Sequence, residues 1–163
     1  FILKANVEDV FEFSETLKKI KDNINTCNIC HCFVEDECYI CNDRESNIIC
    51  VVEDATDVFL VDKSGFKGKF HVLGGLISPL DGVSPEHLNF ETLLNRLDGV
   101  EEIVVAVDPS SEGDMTNLYL SELFQNHEIK LSRLARGMPI GSSLEFIDQV
   151  TLKHSMNDRV QIK

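Results

Sequence analysis

Five cysteines fall within fifteen residues, in the stretch "TCNICHCFVEDECYICND" that begins at Thr26, and beyond it the chain holds only Cys50. Cys27-x2-Cys30, seven residues, then Cys38-x2-Cys41 is the spacing of a four-cysteine zinc knuckle. Each CxxC turn sends two thiolates to one side, and two facing turns complete a tetrahedron at Zn–S distances of about 2.3 Å. A metal lets so short and polar a segment fold without a core of its own. The competing reading, a pair of disulfides, requires an oxidising compartment, and no secretory segment argues for one. Four thiolates leave no open position for water, so the zinc is expected to be structural. His31 and Cys32 sit beside Cys30, and either could stand in for it as a ligand. The turn carrying them is expected to be exposed. Cys50, in "NIICVVE", reads as a small buried hydrophobe.

The chain of 163 residues is about one domain with a small appendage, long enough to bury a core without cross-links. No apolar run reaches the roughly 18 residues of a membrane span, so no membrane role and a cytoplasmic location are expected. The chain opens on Phe1 rather than Met. Its net charge of −13, from 15 basic against 28 acidic residues, argues against autonomous, tight DNA binding, which depends on cations displacing counterions from phosphates. It suits a docking surface for basic partners or divalent cations instead.

Ahead of the cysteines, "NVEDVFEFSETLKKIKDNIN" spaces Val7, Val10, Phe11 or Phe13, Leu17, Ile20 and Ile24 by threes and fours. Asn6 suits the cap, and Glu8 and Asp9 suit the positive end of the dipole. The pattern predicts an amphipathic linker helix within residues 1–26, whose apolar stripe must pack on the domain body or on a preceding segment. The zinc finger follows over 27–43. After it, near-continuous apolar runs at 48–53 and 102–108 predict central strands covered on both faces, with weaker strands at 68–75 and 129–135. Helical stretches fall at 55–63, 90–97 and 112–127. Strand–helix alternation over 47–136 predicts an α/β fold with a mostly parallel sheet flanked by helices. A C-terminal segment occupies 137–163.

Ligands of open parallel sheets sit beyond the carboxyl ends of the strands. The first strong strand ends "CVVED", at Glu53 and Asp54; the second ends "AVDPSSEGD", at Asp108, with Glu112 and Asp114 opening the next helix. If the two strands are neighbours, Glu53, Asp108 and Glu112 converge on one patch whose hard oxygens suit Mg2+. Solvated caps are the alternative, since Glu112 favours a helix N-terminus in any case. His31, His71, His87, His127 and His154 are scattered and form no catalytic pair in the sequence, each reading as a surface or core residue.

"VVED" followed some fifty residues later by "AVDPSSEGD" resembles the two signature motifs of a Toprim domain. "LGGLISPLDGVSP" at 73–85 and "LARGMPIGSSLEFIDQVTL" at 134–152 are similar to the RecR family of bacterial recombination mediators, and the resemblance runs from about Cys27 to Lys163. It implies a Toprim-type sheet behind a structural zinc finger. It implies a non-catalytic subunit of a homo-oligomeric DNA clamp, a dimer or tetramer, acting with RecO and RecF to load recombinase on single-stranded gaps. Glu53, Asp54, Asp108 and Glu112 would then be the patch that docks RecO. The family places a helix-hairpin-helix ahead of this region, so the chain reads as a member without that part, and DNA contact is expected through the assembled full-length ring. The loop of seven residues between the cysteine pairs is one shorter than the family's usual length. Ser110 stands where a Toprim site carries its second acid, which weakens any Mg2+ site and two-metal chemistry with it. The alternative function is a Mg2+-dependent Toprim nuclease or primase-like phosphoryl transferase, with Glu53 as general acid/base and Asp108 and Glu112 on the metal. A topoisomerase needs a nucleophilic tyrosine, and Tyr39 and Tyr119 are both badly placed for that role.

Overall fold

A computed structural model describes residues 2–161 of the chain. Helix α1 (Val7–Asn23) starts where Asn6 accepts a hydrogen bond from the Asp9 amide and carries Glu8 and Asp9 in its first turn. The knuckle that follows consists of two short antiparallel strands, β1 (Asn25–Thr26) and β2 (Phe33–Val34), and the single-turn helix α2 (Tyr39–Asn42).

The main sheet has four parallel strands in the order β4-β3-β5-β6: β3 (Ile48–Val52), β4 (Lys69–Val72), β5 (Glu102–Ala106) and β6 (Lys130–Arg133). The two strongest apolar runs are its central strands, and the two weaker runs its edges. Helix α3 (Ala55–Lys63) crosses from β3 to β4, α4 (Phe90–Leu94) lies between β4 and β5, and α5 (Ser111–Leu123) joins β5 to β6. Helices α4 and α5 are shorter than their periodicity predicts, ending at Asn95 and Phe124 as C-caps. Helix α6 (Gln149–Asn157) lies in the C-terminal segment and is capped by Asp148.

Strand pleating divides the core. Ile49, Val51, Ile103 and Val105 face Leu93, Leu120 and Phe124 under α4 and α5. Cys50, Val52, Phe70 and Val72 face Ala55 and Val58 of α3, and with them Cys30, Cys32, Cys38 and Ile40 of the knuckle. The knuckle thus completes the layer beside α3 on that face. Of the two partners expected for the stripe of α1, the domain body is not the one it uses. Among the described residues it finds no packing partner: it buries no residue, and Val7, Phe11, Leu17 and Ile20 all stay exposed.

Candidate functional site

The four knuckle thiols converge. The Sγ atoms of Cys27, Cys30, Cys38 and Cys41 all lie within 4.8 Å of one another, with Cys27–Cys41 at 3.9 Å and Cys30–Cys38 at 3.4 Å. A tetrahedral zinc with bonds of about 2.3 Å requires S···S edges of about 3.8 Å, so this donor set fits the ion. A bonded disulfide would bring two sulfurs to about 2.05 Å, and these pairs are far wider. Burial raises the Cys38 thiol to about 11 and pushes Cys41 up as well, while at Cys30 the neighbouring Cys32 thiol, and burial after it, push the pKa up. Burial opposes ionisation of Cys27 too, but the Cys30 and Ile29 amides bring it down to about 7. A dication is what such a nest needs to hold four thiolates, and its entry releases protons.

The turn between the ligands is not the exposed loop expected. Cys32 is only 3 % accessible, and its carbonyl accepts a 2.9 Å hydrogen bond from the Cys27 amide. His31 is half-buried in a left-handed conformation (φ 60°), and its Nε2 meets the Thr92 hydroxyl at 2.8 Å. Both residues face the domain rather than solvent because the Cys30 carbonyl accepts from the Val72 amide at 2.9 Å, joining the knuckle to the outer edge of β4. The Cys32 thiol lies in the sheet-face core, outside the set of four.

Behind this contact is a polar cluster that the scattered histidines did not reveal. His71 is fully buried; its Nε2–H donates to the Asn89 carbonyl at 2.8 Å, and its Nδ1 accepts from Arg96 at 3.1 Å. Those partners fix the neutral Nε2–H tautomer. Arg96 also donates to the Phe70 carbonyl at 2.8 Å, and the His31 ring stands edge-on to His71 at 5.5 Å. Burial first, then the Arg96 charge and His31, hold the His71 pKa at about 3, against the opposing pull of Asn89. The fold therefore keeps His71 neutral while the unfolded chain protonates below about pH 6.5. Folding stability is expected to fall as pH drops from about 6.5, by about 2 kcal/mol at pH 5. Denaturant unfolding at pH 7 and pH 5 checks this: His71→Gln should show a shallower dependence at equal zinc saturation, and an unchanged dependence would assign the acid lability elsewhere.

The acidic residues meet where the strand order reverses, between β3 and β5, the position at which open parallel sheets place ligands. Glu53, Asp108 and Glu112 line one depression of about 450 Å³ with Gly74, Gly75, Ser78 and Asp81. Asp54 lies beside it as the N-cap residue of α3, its amide donating to the Asp57 carboxylate at 3.0 Å. Burial, then the charges of Asp108, Asp54 and Asp57, raise the Glu53 pKa. Ser110 is committed to the helix: its hydroxyl accepts from the Gly113 amide at 3.0 Å and caps α5. Asp81 escaped notice because its loop carries no strand-end signal; it accepts from the Ser78 hydroxyl at 2.6 Å. Gly113 also escaped notice. A Cβ there would stand 2.0 Å from the Asp108 carbonyl oxygen, so the close approach of loop and helix requires glycine. Of the tyrosines, Tyr119 packs on Phe90 and Tyr39 lies near Arg44.

Comparison with known proteins gives consistent matches. Residues 47–135 match the family model described as Toprim domain, and residues 137–160 match the one described as RecR, C-terminal. Two curated relatives, each named Recombination protein RecR, come from Tropheryma whipplei strains Twist and TW08/27. Each is 44% identical over 168 residues, an alignment covering 99% of this chain and 85% of the relative.

Proposed function

The chain belongs to the RecR family of recombination proteins, and from that premise we propose that it is a non-catalytic mediator of recombinational repair, a subunit of a DNA clamp that docks RecO- and RecF-type proteins and helps load recombinase on single-stranded gaps. The observation that carries this reading is the acidic depression: Glu53, Asp108 and Glu112 share one cavity, and among the described residues no cation pairs with them. An uncompensated acidic concavity attracts a basic protein surface and repels a phosphate backbone. The reading assigns DNA contact to the homo-oligomeric assembly, a dimer or tetramer, rather than to one acidic chain. Among the described residues no helix is long and apolar enough to cross a membrane, and the mediator reading places the protein in the bacterial cytoplasm, at the nucleoid.

Zinc is assigned to Cys27, Cys30, Cys38 and Cys41, where it supplies structural cross-linking only. Phosphoryl transfer by a Mg2+-loaded Toprim site is the weaker reading, because the residue that would add a carboxylate is Ser110, spent as a helix cap.

Calorimetric titration of a RecO-type partner into the chain tests the proposal. Glu53→Ala with Asp108→Ala should leave the melting temperature intact and weaken binding about tenfold or more, mostly through loss of charge complementarity. Unchanged affinity would move the docking site elsewhere. Mg2+-dependent cleavage of gapped DNA that Glu53→Gln abolishes would replace the mediator reading with an enzymatic one.

A further inference from the structure

A second cavity, of about 530 Å³, lies next to the acidic depression, between the carboxyl end of β5, helix α3 and helix α6. Its volume is within the range of about 300–1,000 Å³ typical of ligand pockets. Val105 lines it on β5 and Val107 just past that strand's end, and Leu60, Leu134 and Val150 are apolar side chains on its walls that stay more than half exposed. The α6 side is only lightly attached. Helix α6 buries no residue, and its C-cap Asp158 holds Arg133 at 3.1 Å.

Asp108 lines both cavities, so the two adjoin. The charges at this junction have a definite sign. Arg133 and Arg136 are engaged by Asp158 and Asp114, respectively, whereas among the described residues no cation pairs with Asp57 or Asp108. The carboxylates of the lining without a cation partner are therefore those of Asp57 and Asp108, and they share the cavity with its apolar side chains and with His154.

We propose that this cavity is a socket for an apolar side chain of the protein that docks on the acidic face, a side chain flanked in that partner by lysine or arginine. The inference rests on the docking role given above to Glu53 and Asp108 and adds the partner's recognition chemistry. The cations answer Asp57 and Asp108, the anchor enters the cavity, and the anchor's burial covers Leu60, Leu134 and Val150. Anchors that fill a preformed pocket beside complementary charge carry a large share of interface energy.

The test uses two socket variants and the acidic double variant, each titrated calorimetrically with a RecO-type partner. Thr151→Trp obstructs the cavity from α6, and because the chain has no tryptophan, a blue-shifted emission reports that the indole is seated. Leu60→Ser removes apolar rim without filling anything, so it decides the matter if the indole stays in water. Either variant should weaken binding about tenfold at unchanged melting temperature and zinc content, the scale of losing one buried anchor. Wild-type affinity in both socket variants, with weakened binding in Glu53→Ala/Asp108→Ala, overturns the socket and leaves acidic-face docking standing. Wild-type affinity in all three overturns both. A change in self-association by light scattering with partner affinity intact would make the cavity a contact between copies of this chain and likewise overturn the inference.

Discussion

Replacing Cys30 with serine is expected to abolish tight zinc binding and to loosen the α/β domain along with the knuckle. Cys30 is fully buried, and its carbonyl accepts from Val72 of β4. Its neighbours in the core, Cys50, Phe70 and Val72, belong to the sheet. In isolated zinc modules the metal contributes an apparent free energy of about 10–16 kcal/mol, because binding and folding are one step. Here the sheet supplies part of that order, so a cost of about 4 kcal/mol or more is expected, which lowers Tm by about 8–16 °C. Cys27→Ser and Cys41→Ser should behave alike, since each thiolate is one of four. Cys32→Ser should keep its zinc and lose only about 1–3 kcal/mol, the cost of placing a hydroxyl in the sheet-face core. Metal content by mass spectrometry beside thermal unfolding separates the cases. Zinc retained by Cys30→Ser and lost by Cys32→Ser would exchange the two ligands.

Gly113→Ala is expected to damage the acidic patch without touching a carboxylate. The added Cβ would stand 2.0 Å from the Asp108 carbonyl oxygen, a contact that only movement of the backbone relieves. Moving that backbone shifts Asp108 away from Glu53 and strains the Ser110 cap, whose hydroxyl accepts from the Gly113 amide. Overpacking of this kind costs about 2–3 kcal/mol, or about 4–12 °C in Tm. Partner binding should fall by a factor similar to that of Asp108→Ala. A variant with wild-type Tm and wild-type affinity would show that loop and helix separate freely, and that the patch does not depend on their close approach.

The regular elements were readable because their signals are local. Asn6 and the three-four spacing after it define α1. The runs around Val51 and Val105 are uninterrupted because both faces of a central strand are covered. The helix beginning at Ala55 follows directly from the acidic strand end. The convergence of Glu53, Asp108 and Glu112 was conditional on strand neighbours, and the β3–β5 pairing supplies that condition. Asp81 could not be read in advance, because its place in the depression depends on how the loop after β4 folds back. Cys32 and His31 were misjudged for a related reason. Their surroundings come from β4 and α4, forty to sixty residues away, and nothing in "CHC" carries that information.

Residue type and spacing along the chain were enough to give the donor chemistry of the knuckle and the family. Four thiols in two CxxC turns can satisfy one zinc whatever lies around them, and acids placed at strand ends stay at strand ends in any parallel sheet. What those groups face depends on packing between distant parts of the chain. The knuckle packs on the α3 face of the sheet, His71 is held neutral between Arg96 and the Asn89 carbonyl, and Asp108 is shared by the acidic depression and the cavity beside α6. Donor type and periodicity are properties of neighbouring residues along the chain. Burial, desolvation and the sign of the local charge arise from residues that only the packed sheet brings together.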